Sequence, residues 1–132
     1  FWRILEDNLR KRFNSKPVHS LAEIKMLKER FPDNIIQYNA YKDRQIIGGL
    51  TVYLSQQVVH GQYSATNDAG KEYGAMEAIY EQLMYKDYPN VPYLDFGSST
   101  ENNCSVINAG LIAHKEGYGG RGVCYDTYEW EV

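Results

Sequence analysis

The chain has 132 residues, 43% hydrophobic and 23% charged, with 14 lysines and arginines against 17 aspartates and glutamates for a net charge of −3. That length bounds it to one compact domain, and the composition is too apolar for a disordered chain. The acidic balance offers no broad counterion-releasing surface, so DNA is not an expected partner, and the longest apolar stretch, Ile46 to Leu54, falls far short of the roughly 20 residues that span a membrane.

No signal-peptide pattern opens the chain, and Cys104 and Cys124 lack metal-ligand spacing. The expectation is a cytoplasmic protein with both cysteines reduced and packed, and with no metal. The first residue, Phe1, is not methionine and leads straight into a helical pattern, which suggests a piece of a longer chain.

Trp2, Leu5, Leu9 and Phe13 recur at helical spacing, so residues 1 to 15 read as a helix that Pro17 stops. Ser20-Leu21-Ala22-Glu23 is a capping box that starts a second helix through Ile24, Leu27 and Phe31. From Ile35 the period turns strand-like: Ile35 to Tyr41 and Gln45 to Ser55 flank the turn Lys42-Asp43-Arg44 as a hairpin. A third strand, Val58 to Thr66, alternates Val59, Gly61, Tyr63 and Ala65 on one face with Val58, His60, Gln62 and Ser64 on the other.

Asn67-Asp68-Ala69-Gly70 breaks that strand, and Glu72 to Tyr88 reads as one helix with Ala75, Ile79 and Leu83 inward. Tyr93 to Gly97 follows as a strand; a strand, helix and strand at this spacing make a right-handed crossover, so it pairs parallel to the third. A polar loop, Ser98 to Asn103, leads to a helix from Cys104 to Glu116 with Gly117 at its C′ position, and Val123 to Val132 reads as a last strand. The class is α/β, a mixed, mainly antiparallel sheet with helices on both faces, in the order α-α-β-β-β-α-β-α-β.

In open α/β sheets, ligands bind beyond the carboxyl ends of parallel strands. That rule selects Ser64 to Lys71 and Asp95 to Glu101. The first segment, with Gly70, Lys71 and Gly74, either cradles a phosphate at a helix start or simply caps that helix. Asp95, between Leu94 and Phe96 and followed by Ser98, Ser99 and Glu101, is either a general base or, with the serines, a cap for loop and helix amides. His60 and Gln62 form a polar row that needs partners or a wet cleft. His19 reads as a staple and His114 as exposed. Most of the twelve tyrosines lie in strands, where aromatic pairs stabilise sheets. No Ser-His-Asp or Cys-His arrangement is legible, which counts against a hydrolase.

The element order, with Ile46-Ile47-Gly48-Gly49, Tyr93-Leu94-Asp95-Phe96-Gly97 and Lys115-Glu116-Gly117-Tyr118-Gly119-Gly120, resembles the GNAT superfamily. More narrowly it resembles the second lobe of the Fem-type, two-lobed GNAT-like acyltransferases of bacteria. The resemblance implies a splayed gap between the 58–66 and 93–97 strands that receives acetyl-CoA or another acyl-CoA, with Gln62, Tyr63 and Ser64 giving backbone contacts and Gly70, Lys71 and Gly74 holding phosphate. It implies acyl transfer to a small-molecule or amine-bearing acceptor, with Asp95, Glu101 and His60 as catalytic candidates. Because the chain is acidic, an acyl thioester suits it better as donor than aminoacyl-tRNA.

The chain departs from the family pattern in three places. The usual pyrophosphate signature is replaced by the looser Asn67 to Ala75; Ala113 stands where a tyrosine acid is usual; and the family's first and last strands are missing from the reading. The alternative is therefore a catalytically silent lobe that supports, or binds ligand beside, an upstream GNAT-like lobe or a second copy.

Overall fold

The computed structural model describes residues 1–102 and 104–130. The chain falls into two compact units, Phe1–Gly97 and Ser98–Val132. Among the described residues no helix is long and apolar enough to cross a membrane.

The first unit opens with α1 (Trp2–Phe13) and α2 (Leu21–Arg30). Asn14 ends α1 in the left-handed conformation (φ 48°), a backbone state that asparagine tolerates better than most residues. The capping box on α2 is closed on both sides: Glu23 N–H donates to Ser20 Oγ at 3.3 Å, and Ser20 N–H donates to Glu23 Oε2 at 2.6 Å. Both bonds satisfy first-turn donors that the helix itself leaves open.

Strands β1 (Ile35–Lys42) and β2 (Gln45–Leu54) form the expected hairpin. Its two-residue turn is Asp43-Arg44, both at positive φ (48° and 65°), which matches the twist of the flanking strands. Strand β3 (Val58–Thr66) pairs antiparallel with β2, and β4 (Tyr93–Asp95) pairs parallel with β3, giving the order β1-β2-β3-β4. The parallel crossover is thus as the spacing predicts.

Two consecutive glycines show that helices cover both faces. A Cβ on Gly48 would lie 3.2 Å from Ala75 Cβ, whereas one on Gly49 would lie 2.6 Å from the ring of Phe1. Successive strand residues point to opposite faces, so α4 (Ala75–Gln82) packs on one side and the α1 end on the other. Trp2, Leu5, Ile24, Tyr63 and Ala65 form the core on the α1 face. Leu50, Val52, Val59, Ala75, Ile79 and Leu83 are also buried.

The alternation read along β3 is corrected by a bulge. Thr51 pairs with Tyr63 and Val52 with Gly61, so Gln62 is an extra residue. One inserted residue reverses which face every later side chain meets. A Cβ on Gly61 would face Leu50 at 3.5 Å, on the α4 side, while Tyr63 meets Trp2 on the α1 side with ring centroids 5.3 Å apart. Val59 and Gly61 therefore do not share a face with Tyr63 and Ala65, and His60 does not share one with Ser64.

The expected helix from Glu72 to Tyr88 is three pieces: α3 (Asp68–Glu72), α4, and a π-helical turn at Leu83–Asp87. Gly74, at φ 65°, separates the first two. The inward residues Ala75, Ile79 and Leu83 are as expected, and Tyr80 joins them.

The second unit differs more from expectation. A short hairpin, β5 (Thr100–Glu101) with β6 (Val106–Ile107), occupies the reading's polar loop and first helical turn. Asn103 lies outside the described residues. The helix, α5, runs Ala109–Gly117 because Asn108 Oδ1 caps Leu111 N–H at 2.9 Å; the positive φ of Cys104 (67°) excludes that residue, and Val106 and Ile107 are paired as strand. Gly117 is the last helical residue; Gly119, at φ 88°, takes the left-handed position. Residues 123–130 form no strand, with Val123, Tyr125, Tyr128 and Trp130 between 72% and 89% exposed. The end of that expected strand, 131–132, lies outside the described residues. Both cysteines are free, as expected, but exposed instead of packed.

Candidate functional site

Three rungs join β3 to β4: Val58 with Tyr93, Val59 with Leu94, and His60 with Asp95. Beyond them β3 continues to Thr66, and among the described residues no strand pairs with that edge. The sheet parts after His60 and Asp95, leaving backbone donors and acceptors of β3 free on one side. Gly97 marks the mouth of the gap: a Cβ there would lie 3.7 Å from Gly61 O and 3.7 Å from His60 Cε1.

The last rung carries the chemistry. His60 Nδ1 and Asp95 Oδ2 are 2.7 Å apart, and Asp95 Oδ1 accepts from Gly97 N–H, also at 2.7 Å. The carboxylate is thus held at both oxygens, and it fixes the proton of the imidazole on Nδ1. His60 Nε2 stands 3.1 Å from Gln62 Oε1. The histidine and aspartate side chains are 33% and 41% exposed, half in water and half in the sheet.

Tyr53 lies opposite His60 in the β2–β3 register, with ring centroids 6.4 Å apart. Its hydroxyl is buried and makes no hydrogen bond among the described residues. Burial, and then the nearby Tyr63, raise its pKa above the ordinary phenol value. Burial likewise pushes Tyr80 up to about 12.

The other face of the same rungs is apolar. Val59, Leu83, Met84, Tyr88, Val91 and Leu94 line a cavity of about 170 Å³ beside the π-helical turn. Tyr38 O–H donates to Asp87 Oδ2 at 2.7 Å and so ties that turn to β1. Burial first, and then Asp87, raise the pKa of Tyr38.

The structure brings His60, Gln62 and Asp95 together and distributes the other expected residues elsewhere. Tyr63 gives its ring to the core and its hydroxyl to His19 Nδ1 at 2.7 Å, leaving only its backbone near the gap. His19 is thereby a partner for the phenol as well as the residue before the cap. Ser64 is exposed.

Gly70 is buried: a Cβ would fall 2.1 Å from Ile47 O, and its N–H already donates to Asn67 Oδ1 at 2.8 Å. Its role is close packing, and its amide is not open to a phosphate. Lys71 pairs with Asp68 at 2.8 Å on the surface, and Gly74 starts α4 with Glu77 in the first turn.

Glu101 belongs to the second unit, where it accepts from Asn108 Nδ2 at 2.6 Å and steadies the α5 cap. Lys115 Nζ reaches Ser98 O at 2.7 Å and Ser99 Oγ at 2.8 Å. Ala113 is an exposed residue of α5, and His114, exposed as expected, has its ring centroid 5.1 Å from that of Tyr118. Among the described residues no group of three or more His, Cys, Asp or Glu is placed to hold a metal ion.

Sequence reasoning set His60 and Gln62 in one polar row but missed the bulge at Gln62 that turns Ser64 to the other face. Gly61, a glycine inside a strand pattern, was the available signal for a bulge.

Two of the solved structures with this architecture are informative. One is the crystal structure of a possible acetyltransferase from Clostridium difficile 630, 12% identical, with a TM-score of 0.68 over 98% of this chain and 88% of that one. The other, from Bacteroides thetaiotaomicron and described as a candidate acetyltransferase of the GNAT family, is 17% identical, with a TM-score of 0.55 over 89% of this chain and 63% of that one. The chain has the GNAT fold. No family model matches it, and no curated protein does.

Against an acyl-CoA, the GNAT gap fits in one part and not in another. The free edge of β3 at Gln62–Ser64 and the bare backbone at Gly61 and Gly97 suit an extended, amide-bearing arm, whereas the turn at Asn67–Gly70 satisfies its own amide.

Proposed function

We propose that this domain is an N-acyltransferase that moves an acyl group from acetyl-CoA or another acyl-CoA to an amine. The observation that carries it is the His60–Asp95 pair on the last rung before the sheet parts. A thioester donor supplies an activated carbonyl. Backbone N–H groups on the β3 edge hold it and polarise its oxygen.

His60 acts as general base: Asp95 keeps the Nδ1 proton in place, so Nε2 is the nitrogen that takes the amine's proton as the new C–N bond forms. As the C–S bond breaks, that proton passes on to the thiolate. Gly97 N–H keeps Asp95 from turning away. The acceptor is a small molecule or an amine-bearing chain.

The test is release of free thiol from acetyl-CoA and longer acyl-CoAs with a panel of amines, alongside titration calorimetry with each donor. Binding without turnover, or neither, would refute the reading.

A second reading has its own observations in Gly70, whose amide is taken, and Ala113, which brings no phenol. On that reading the domain is a silent lobe of a longer Fem-type cytoplasmic enzyme, supporting an upstream GNAT-like lobe or a second copy. Unchanged turnover in both Asp95→Ala and Glu101→Ala, measured on the full-length protein, would favour it.

A further inference from the structure

His60 and Gln62 lie two apart on β3, so their side chains meet on one face. Gln62 is also the extra residue of the β3 bulge, and its Oε1 stands 3.1 Å from His60 Nε2. A ring nitrogen has one in-plane direction for a hydrogen-bond partner. Asp95 holds Nδ1 and Gln62 occupies Nε2, so both nitrogens of His60 are engaged within the protein.

An amine can reach Nε2 only by displacing the carboxamide. We propose that Gln62 is a displaceable cover on the base, a positioning residue that keeps Nε2 from water until an acceptor amine takes its place. The kinetic consequence rests on the acyl-transfer reading above; the chemical one, that Nε2 is covered, does not.

In the absence of acceptor, an uncovered Nε2 would take a proton from water as the water's oxygen bonds the acyl carbon. The C–S bond then breaks, a carboxylic acid forms, and the proton passes to the thiolate. The cover suppresses this hydrolysis and raises the amine concentration needed for transfer. A carboxamide suits the task because it is neutral and offers an acceptor to the protonated ring or, turned over, a donor to the neutral one. Its displacement therefore exposes no buried charge.

The test compares wild type with Gln62→Met, of similar length but with no hydrogen-bonding amide, and Gln62→Glu, which keeps only acceptors and adds charge. In Gln62→Met, acceptor-independent thiol release rises about tenfold and KM for the amine falls, with KM for the donor unchanged. In Gln62→Glu, KM for the amine rises and kcat falls.

An independent arm needs no turnover. Diethyl pyrocarbonate attacks an uncovered imidazole nitrogen, and mapping the three histidine peptides by mass reads His60 separately from His19 and His114. Its modification in the folded protein should be several-fold faster in Gln62→Met than in wild type, and no faster in Gln62→Glu.

Equal modification rates in wild type and Gln62→Met would overturn the proposal, and so would a Gln62→Met enzyme that loses transfer and hydrolysis together at unchanged thermal stability. If no acyl-CoA is turned over by wild type, the functional reading fails while the modification arm still decides the cover.

Discussion

Asp95→Asn tests the site most directly, because it keeps the shape of the side chain and removes only its charge. Asp95 makes two charge-assisted bonds, to His60 Nδ1 and to Gly97 N–H, each 2.7 Å long. A bond of that kind is worth roughly 1.5–3 kcal/mol and its neutral counterpart about 1. With the partners 33% and 41% exposed, solvent screening places the loss near the lower end, about 1 kcal/mol per bond.

The loss at His60 falls on the protonated ring, since only that form carries the charge the carboxylate opposes. About 1 kcal/mol corresponds to roughly a fivefold fall in rate. A second effect adds to it. The introduced carboxamide has one oxygen; if Gly97 N–H keeps it, NH2 turns toward Nδ1, the ring proton moves to Nε2, and the base is lost. Since general-base catalysis typically contributes 10²–10⁴-fold, the expected fall in kcat/KM for the amine is about 10–10³-fold, with KM for the donor unchanged within a factor of two. The assay is initial-rate thiol release, with a thermal melt to show that the variant folds. Wild-type kcat/KM in a folded Asp95→Asn protein would refute the assignment of His60 as base.

Further outcomes follow from other contacts. Gly70→Ala places a Cβ 2.1 Å from Ile47 O, a backbone atom that cannot rotate aside, so the variant should lose about 1–3 kcal/mol in urea unfolding; an unchanged midpoint would contradict the packing described. Tyr53→Phe removes a buried hydroxyl that has no partner among the described residues, so stability should hold or rise by up to about 1 kcal/mol. Glu23 is held below the ordinary carboxylate range by hydrogen bonds from the Ser20 backbone and side chain. Its folded pKa is depressed, so the capping box contributes above the unfolded value and is lost as pH falls through the folded one. The melting-temperature gap between wild type and Glu23→Gln should therefore be present at pH 6 and shrink by pH 3; a gap independent of pH would refute the link.

What the chain order revealed, and what it hid, divides along physical lines. Helices α1 and α2 and the hairpin were legible because each has a local cause: the spacing of Trp2 and Leu5, the reciprocal bonds of Ser20 and Glu23, and a two-residue turn. The parallel pairing of β4 was legible because a crossover of that length leaves few alternatives. The bulge was not, since one extra residue changes no composition and leaves only Gly61 as a sign. The breaks in the helix after β3 were hidden for a related reason. Gly74 looked like part of a loose phosphate loop, and nothing in Leu83 to Asp87 announces a π-helical turn. In the second unit, Val106 and Ile107 fit a helical stripe as well as a strand, and only the positive φ of Cys104 with the cap at Asn108 decides between them.

The candidate site follows from register and strand period, and the bulge sets where it ends. His60 and Asp95 face each other because they share a rung, and any parallel pairing in this register would achieve it. Gln62, two residues along β3, lies on the face of the same histidine, and the bulge places the change of face after it, so that Ser64 no longer joins them. One rung earlier, Val59 and Leu94 point to the opposite face and line the apolar cavity. Where β3 and β4 stop pairing, the last rung and the residue two along thus set a polar triad on one face, while the rung beside it turns apolar side chains to the other. A register slip of one residue would bury His60 and expose Val59, so the pairing that stabilises the sheet also specifies the side on which chemistry can occur.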